Sequence, residues 1–440
     1  MSQVNPPNAG QAAEPTPAER HYAERYDSSW EEASLNPAQL LETQLRQWFE
    51  AVFDGVKPSF FGPMGRVSIP CMARLNYAKR KMTWFTLPQS WNQAQRAVLR
   101  HGLGHDPDQL ATHTFREGEY WLNFHLNFSA QPRLKRFPQC AIAPGSALLG
   151  SDGASKTVTL CAPADAASEP GYVVKTSSFE DGLLQESLAL RQLPPALSSP
   201  RDLGISLGEL NKGRRANISD RTTLFRHQNL QTLQVGYNLT VIPGVAHVLP
   251  MAQQALALLV DPGAPETSLA QQAERLRAAI AASGVHDSLK RALLQLLERV
   301  EDTTPLRPSR QHGDFRRANL LAVPDGLDFE ASSFSFRLSV IDWELSQPLR
   351  LGVLDYVQLL LDLHRVSLNS TSLGELFGEG QRDQFCTNLR ECQLPGSEAD
   401  PSELLALHLA TFAFERAWGF GGLDRGAGYA ERLRGPWPFD

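Results

Sequence analysis

The chain has 440 residues, of which 42% are hydrophobic, so it can bury a substantial core and suggests two or three domains. Its formal net charge of −6 argues against general nucleic-acid binding, which needs a basic surface. No apolar run is long enough to span a bilayer, no signal peptide is evident, and the five cysteines form no CxxC pair. We therefore expect a reduced, cytoplasmic protein whose oligomeric state the sequence leaves open.

The first third of the chain predicts a tail followed by a mixed region. Residues 1–35 are predicted to be a disordered tail, because large apolar side chains are nearly absent before Tyr22. An amphipathic helix is predicted from Pro37, with Asn36 as its N-cap. Strands are predicted at Met82–Leu87 and Tyr120–Phe128, and a short helix at Gln93–His101. We interpret residues 36–138 as an extra N-terminal α/β region or a cap.

Residues 139–242 predict a small β-rich lobe. Two strands, Ala147–Leu149 and Thr157–Cys161, flank the turn from Gly150 to Lys156, which is either a phosphate-binding loop or an ordinary hairpin turn. A third strand, Tyr172–Val174, ends in Lys175, and a helix is predicted over Leu183–Leu193. Glu186 on that helix is a candidate partner for Lys175, and Glu180 is the alternative.

Residues 243–440 predict a helical lobe that follows an interlobe hinge. The segment 233–244 fits a strand that leads to this hinge, and Pro243-Gly244 fits the turn that begins the second lobe. Apolar residues recur at helical spacing over Ser268–Ala282 and His286–Val300, which indicates two core helices.

The stretch from Gln311 to Leu363 carries the strongest chemical signal. Asp314 follows His312-Gly313, Asn319 lies five positions later, and Asp342 closes the apolar run Leu338–Ile341. Phosphoryl transfer needs one carboxylate to orient the attacking hydroxyl, and a carboxamide with a second carboxylate to hold Mg²⁺ on the nucleotide phosphates. The protein-kinase catalytic loop has the same Asp-to-Asn spacing.

The same stretch also contains two adjacent arginines and an insert before Asp342. Arg316 and Arg317 either contact phosphate or substrate, or form surface ion pairs, the more frequent situation for charged residues. The polar, hairpin-like insert between Asn319 and Asp342 contains the turn Pro324-Asp325-Gly326.

The form H-G-D-x-x-x-x-N followed by I-D-W-E resembles the aminoglycoside phosphotransferase and choline kinase-like family, roughly over residues 141–420. The resemblance implies an α+β, bilobal protein kinase-like fold with a small β-rich N-lobe and a helical C-lobe. It implies Asp314 as catalytic base, Asn319 and Asp342 as magnesium ligands, and Asp355 as a brace for the catalytic loop. It also implies that Lys175, paired with Glu186, contacts the phosphates of ATP, and that the hinge residues Thr240, Val241 and Ile242 bind the adenine.

These expectations describe a small-molecule kinase that uses ATP and Mg²⁺. Its partner would be a hydroxyl acceptor such as a sugar, an amino sugar or an amino alcohol, and the HGD form favours a small molecule over a protein. The alternative is a nucleotide-binding pseudokinase or scaffold protein, in which residues 36–138 bind the partner.

Overall fold

A computed structural model of the chain describes most residues from Pro37 to Phe439. The described ranges are 37–56, 67–76, 81–96, 98, 119–143, 145–152, 156–164, 171–177, 180–207, 227–240, 245–328, 333–366, 371–419, 429–433 and 435–439. The predicted tail, and the predicted adenine-binding residues Val241 and Ile242, lie outside these ranges.

A single antiparallel sheet of ten strands dominates the N-terminal half. Its strands are β1 (Phe53–Val56), β2 (Val67–Asn76), β3 (Lys81–Thr86), β4 (Glu119–Leu134), β5 (Phe137–Ala141), β6 (Ala147–Asp152), β7 (Lys156–Ala162), β8 (Tyr172–Ser177), β9 (Asp202–Ser206) and β10 (His227–Thr232). The order in the sheet is β1-β4-β2-β3-β6-β7-β8-β10-β9, and β5 pairs with β4. Strands from the predicted extra region and from the predicted N-lobe therefore share one sheet.

The two regions meet where β3 pairs with β6. Trp84 on β3 lies opposite Gly150 on β6. A Cβ atom at Gly150 would lie 2.2 Å from the Trp84 indole, so only glycine leaves room for this ring. The junction is thus built by tight packing and by main-chain pairing, and no linker separates β5 from β6 beyond residues 142–146.

The helix α1 (Pro37–Val52) covers one face of this sheet. Its apolar stripe, which includes Leu41, Leu45 and Phe49, is buried in a core that also contains Val174 of β8 and Leu230 of β10. The extra region and the N-lobe therefore share a hydrophobic core as well as a sheet.

Helices make up most of the second lobe. The helix α2 (Glu180–Gln192) precedes this lobe and contacts both lobes. The helices of the second lobe itself are α3 (Val245–Ala257), α4 (Leu269–Ala282), α5 (Asp287–Leu297), α6 (Gly352–Leu363), α7 (Gln381–Arg390) and α8 (Pro401–Phe414). The helix α6 is buried on nearly all sides and lies at the centre of the hydrophobic core of this lobe. This position allows α6 to support the loops that follow the short strands of this lobe.

Short strands carry those loops. The strands β12 (Ser309–Gln311) and β15 (Gln347–Arg350) pair with each other. The strand β13 (Leu320–Asp328) lies between β11 (Tyr237–Asn238) and β14 (Ser333–Val340). The insert between Asn319 and Asp342 thus forms the long hairpin β13–β14.

The predicted α+β class, with a β-rich N-lobe and a helical C-lobe, is confirmed. The strand predicted over residues 233–244 is wrong in position, because the strand that leads out of the large sheet is His227–Thr232. Within the described ranges, no helix is both long enough and apolar enough to cross a bilayer.

Candidate active site

Asp355 of α6 holds the loop that follows β12 through hydrogen bonds to the backbone of that loop. The fully buried carboxylate of Asp355 accepts the backbone N–H of His312 at 2.6 Å and of Gly313 at 3.0 Å. Burial raises the pKa of Asp355 to about 7, although these two N–H donors act in the opposite direction. Asp355 therefore braces the loop and does not line the cavity described below.

His312 fixes the loop from within. Its Nε2 lies 2.9 Å from the carbonyl of Ile341, and its Nδ1 accepts the backbone N–H of Asp314 at 3.1 Å. The ring is neutral in this arrangement, with the proton on Nε2, and burial lowers its pKa. The His312 and Trp343 rings meet in a T-shaped contact with a centroid distance of 4.7 Å. His312 therefore joins the loop to the segment that carries Asp342.

Gly313 allows this loop to approach its neighbour closely. Its φ is +83°, in the left-handed region that favours glycine. A Cβ atom here would lie 2.7 Å from the carbonyl oxygen of Leu345. The glycine of the HGD sequence is thus required by backbone conformation and by space.

Four side chains surround the carboxylate of Asp314. Oδ1 accepts from Arg416 Nη2 at 2.6 Å and from Gln358 Nε2 at 3.2 Å. Oδ2 accepts from Asn319 Nδ2 at 3.0 Å and lies 3.0 Å from Arg316 Nη2. Asp314 is therefore held in one orientation by neighbours on three separate elements.

The second arginine of the loop behaves differently. Arg317 donates from its backbone and from Nε to the carboxylate of Asp362, and from Nη2 to the Asp362 carbonyl. Arg317 is thus a structural ion pair, as the surface-pairing alternative proposes, whereas Arg316 lies at Asp314.

Lys175 joins the two lobes through two carboxylates. Its Nζ donates to Glu186 Oε1 at 2.6 Å and to Asp342 Oδ1 at 2.6 Å. The backbone N–H of Trp343 also donates to Glu186 Oε1, at 3.2 Å. The side chain of Glu180 lies outside the described part of the chain. Lys175, Glu186 and Asp342 therefore meet, as the sequence predicts.

Asp342 adopts an unusual backbone conformation. Its φ and ψ are 67° and 60°, the left-handed region that residues other than glycine seldom adopt. This turn directly after β14 aims its carboxylate at the N-lobe. Burial alone would raise the pKa of Asp342, but the ammonium groups of Lys156 and Lys175 lower it far below its usual value.

Lys156 is a site residue that the sequence did not single out. It begins β7 and donates from Nζ to Glu344 Oε2 at 2.7 Å and to Asp342 Oδ1 at 3.3 Å. Burial would lower the pKa of Lys156, but the charges of Asp342 and Glu344 raise it. Its position at the end of the glycine-containing turn was the available signal, but its partners lie almost 190 residues away in the chain.

A cavity of about 200 Å³ lies between the lobes at these residues. Lys156, Lys175, Asn319 and Asp342 line its polar part. Its apolar lining is Val158, Leu160, Val173, Pro200, Leu233, Leu321 and Ile341. An apolar slot that ends in two cations, a carboxylate and a carboxamide is suited to a flat heterocycle that carries an anionic tail.

The connection between the lobes lies earlier than predicted. The segment Gln231–Gln234 lines the cavity, and Thr240 is not among the described residues that do. Instead the backbone N–H and the hydroxyl of Thr240 both donate to Asn238 Oδ1. The structure thus brings Thr232 and Leu233, and not Thr240, to the other predicted site residues.

No protein-family model matches the chain, and no curated protein matches it. Solved structures of small-molecule kinases resemble part of it. A thermostable mutant of aminoglycoside phosphotransferase APH(4)-Ia, in ternary complex with AMP-PNP and hygromycin B, is 15% identical over 65% of this chain and 91% of its own, with a TM-score of 0.39. An aminoglycoside-3'-phosphotransferase of type VIII is 16% identical over 58% and 88%, with a TM-score of 0.34.

Choline kinase from Cryptosporidium parvum is 10% identical over 63% of this chain and 86% of its own, with a TM-score of 0.34. Likeness at these values carries no argument about chemistry. The function of this chain is therefore inferred from its own side chains.

The oxygen atoms around the cavity fit a small divalent cation. Asn319 Nδ2 is committed to Asp314, which leaves Asn319 Oδ1 for a ligand. Asp342 Oδ1 accepts both lysines, which leaves Oδ2. Carboxylate and carboxamide oxygens suit Mg²⁺, which usually takes its other ligands from water and phosphate. Within the described ranges, no group of three or more His, Cys, Asp or Glu side chains is placed to hold a metal ion.

Proposed function

We propose that the chain is a phosphotransferase that moves the γ-phosphoryl group of ATP to a hydroxyl of a small molecule. The observation that carries this proposal is the contact of Lys175 with both Glu186 and Asp342 at the edge of the interlobe cavity. A lysine held by two carboxylates beside an apolar slot is a site for a nucleotide polyphosphate.

The nucleotide would enter the cavity with its base in the apolar part, between β7 and β8 on one side and Leu321 and Ile341 on the other. The segment Gln231–Gln234 lines the cavity, so it would lie beside the edge of the base. Lys156 and Lys175 would then transfer their hydrogen bonds from Asp342 to the phosphate oxygens.

Asn319 and Asp342 would hold Mg²⁺, which screens the negative charge on the phosphoryl oxygens when it is bound. The exchange of partners is balanced, because the carboxylate that loses two ammonium groups gains a divalent cation. Glu186 keeps Lys175 in place throughout, because its carboxylate is fully buried and also accepts the Trp343 N–H.

Asp314 would orient the acceptor hydroxyl and take its proton. A bond forms between the acceptor oxygen and the γ-phosphorus, the bond from that phosphorus to the β–γ bridging oxygen breaks, and ADP leaves with the electron pair. Gln358 and Asn319 keep the Asp314 carboxylate in position, and His312 orders the loop from behind without taking part in proton transfer.

The test combines nucleotide binding with transfer. Calorimetry should detect Mg²⁺-dependent binding of AMP-PNP. Labelled ATP should transfer phosphate to at least one member of a panel of sugars, amino sugars, amino alcohols and the corresponding carboxylic acids. Asp314→Asn should bind AMP-PNP like the wild type and lose at least about a hundredfold in transfer, the usual contribution of a general base.

The scaffold alternative predicts a different result. Tight nucleotide binding, no transfer to any acceptor, and background ATP hydrolysis that Asp314→Asn leaves unchanged would support it against the kinase. Competition of GTP with AMP-PNP would show whether the site selects adenine over guanine.

A further inference from the structure

One wall of the interlobe cavity is a face of the large sheet, and its side chains change from cationic to apolar to polar along the strands. Gln231 of β10 lies opposite Val173 of β8, and Val173 lies opposite Leu160 of β7. Residues that lie opposite each other share a face, and all three line the cavity. Lys156 lines the same wall four positions before Leu160, with Val158 between them. Gln231 and Lys156 therefore lie at opposite ends of the wall, separated by its apolar part.

The carboxamide of Gln231 is buried without a partner. The residue is 2% exposed, and its Nε2 is shielded from solvent and has no hydrogen-bond partner among the described residues. A buried amide that makes no hydrogen bond costs free energy, so most such groups in proteins are paired. At the wall of a cavity, this arrangement favours a ligand that supplies the missing partner.

The backbone beside Gln231 is already committed to the protein. The N–H of Thr232 donates to the carbonyl of Arg201 at 2.9 Å, and the N–H of Leu233 donates to the carbonyl of Gly171 at 2.7 Å. These two backbone groups are thus not available as donors to a base in the cavity.

The neighbouring polar side chains are committed as well. The hydroxyl of Thr232 accepts the backbone N–H of Arg201 at 2.9 Å, and Gln234 Nε2 donates to the Ser198 hydroxyl at 3.3 Å. Within the segment 231–234, Gln231 is therefore the side chain whose polar end remains for a ligand.

We propose that Gln231 selects the base of the nucleotide, and that its carboxamide pairs with the 6-amino group of adenine and with the ring nitrogen beside it. This inference rests on the proposed function and adds the residue that determines which nucleotide is used. With the phosphates at Lys156 and Lys175, a nucleotide that extends along the wall brings its base to Gln231.

The chemistry of the two purines favours adenine. Its 6-amino donor has an acceptor nitrogen on either side, N1 or N7, so a carboxamide forms two hydrogen bonds with either edge. Since Nε2 has no partner to hold it, the Gln231 carboxamide can rotate to match the edge that it meets. Guanine presents two acceptors on one of these edges, and on the other it adds a 2-amino group that needs a further acceptor.

The first test varies the base and leaves the protein unchanged. Calorimetry in the presence of Mg²⁺ compares ADP with GDP and with the diphosphate of purine riboside, which lacks the 6-amino group. All three carry the same phosphates, so the lysines contribute equally. ADP should bind at least about tenfold more tightly than the other two, because each of them loses a buried hydrogen bond.

The second test varies the protein. Gln231→Met keeps the length of the side chain and removes its polar atoms, so affinity for ADP should fall at least about tenfold and affinity for purine riboside diphosphate much less. Gln228→Met is the matched control. Gln228 lies on the same strand, is fully buried and has an unpartnered carboxamide, but it is not among the described residues that line the cavity. This control should preserve the preference for ADP.

Thermal stability separates a binding role from a structural one. Without nucleotide, Gln231→Met should melt at the temperature of the wild type or above it, because the substitution removes a buried amide that makes no hydrogen bond. Saturating ADP should then raise the melting temperature of this variant less than that of the wild type. A carboxamide that supports the fold would give a lower melting temperature without nucleotide.

Three results would overturn the inference: equal affinities of the wild type for ADP and purine riboside diphosphate, tighter binding of GDP than of ADP, or a loss in Gln231→Met that is the same for every diphosphate. The first two are measured on the wild type and do not depend on the folding of a variant. Failure of all three diphosphates to bind the wild type would instead overturn the proposed function.

Discussion

Lys156 and Lys175 donate to the same atom, Oδ1 of Asp342, at 3.3 Å and 2.6 Å. Each lysine also has a carboxylate of its own, Glu344 for Lys156 and Glu186 for Lys175. The two pairs differ in exposure, because Glu186 is fully buried whereas Glu344 is 22% exposed. Lys175 is therefore the fixed member of the pair, and Lys156 is the member that is free to follow a phosphate.

This difference predicts a selective effect of Lys156→Met. Affinity for MgATP should fall about tenfold, because one charged hydrogen bond to phosphate is lost, whereas affinity for adenosine should not change. Calorimetric titration of both ligands measures this. Lys81→Met, at an exposed position of β3, is the matched control. Equal losses for ATP and adenosine would show that Lys156 supports the lobe and does not bind the phosphates.

The close approach of Gly313 to Leu345 predicts the cost of a methyl group. Gly313→Ala should lower the free energy of unfolding by about 1–3 kcal/mol more than Gly380→Ala does. Both glycines have positive φ, but a Cβ at Gly380 meets nothing within 4 Å, so this control contains only the conformational cost. Chemical denaturation of the two variants gives the comparison. Equal losses would mean that the loop can move away from Leu345.

The raised pKa of Asp355 predicts a pH dependence of stability. The pKa is about 7 in the folded chain and has its ordinary value of 3.8 when exposed, so between these values the folded state holds a proton that the unfolded state has lost. The contribution of this group to the free energy of unfolding therefore falls as pH rises from about 4 to 7, by at most about 4 kcal/mol.

Asp355→Asn cannot titrate, so the stability of the wild type relative to this variant should decline as pH rises from 5 to 8. Thermal melts across this range test the prediction. Parallel curves for the two proteins would show that Asp355 is ionised throughout.

The shared sheet predicts that the extra region cannot be removed. A chain that begins at residue 143 exposes the edge of β6 and loses α1, so it should aggregate or unfold without a cooperative transition. A chain that begins at residue 35 should keep the cooperative melt of the whole protein. A soluble, cooperatively folded product from the shorter chain would show that the N-lobe is independent.

The sequence was most informative where chemistry is local. The sequence alone was enough to recognise the spacing of Asp314 and Asn319 and the position of Asp342 after a strand. A loop and a strand end fix these residues within a few positions. The helices were readable from their apolar periodicity, as for α4 and α5, whose observed bounds differ from the predicted ones by a few residues.

Contacts between residues that are distant in the chain could not be predicted from the sequence. Arg416 lies 102 positions from Asp314, in the turn Glu415–Gly419 that follows α8, and nothing in the composition of that turn marks it as part of a site. The crossing between the lobes was placed too late because residues 233–244 look like a strand, whereas the sheet pairing that decides the matter ends at Thr232. The joining of the extra region to the N-lobe depends on the pairing of β3 with β6 and on a shared hydrophobic core, which no local sequence pattern predicts.

The junction of β3 with β6 has a consequence for motion. Since the outer strands belong to the same sheet as β8, and α1 packs into the same core, any rotation of the N-lobe about the segment after Thr232 moves them together with it. Small angular changes at the cavity would be magnified at the far end of this sheet. A fluorescent label on the exposed face of α1 should thus register domain closure at a distance from the chemistry.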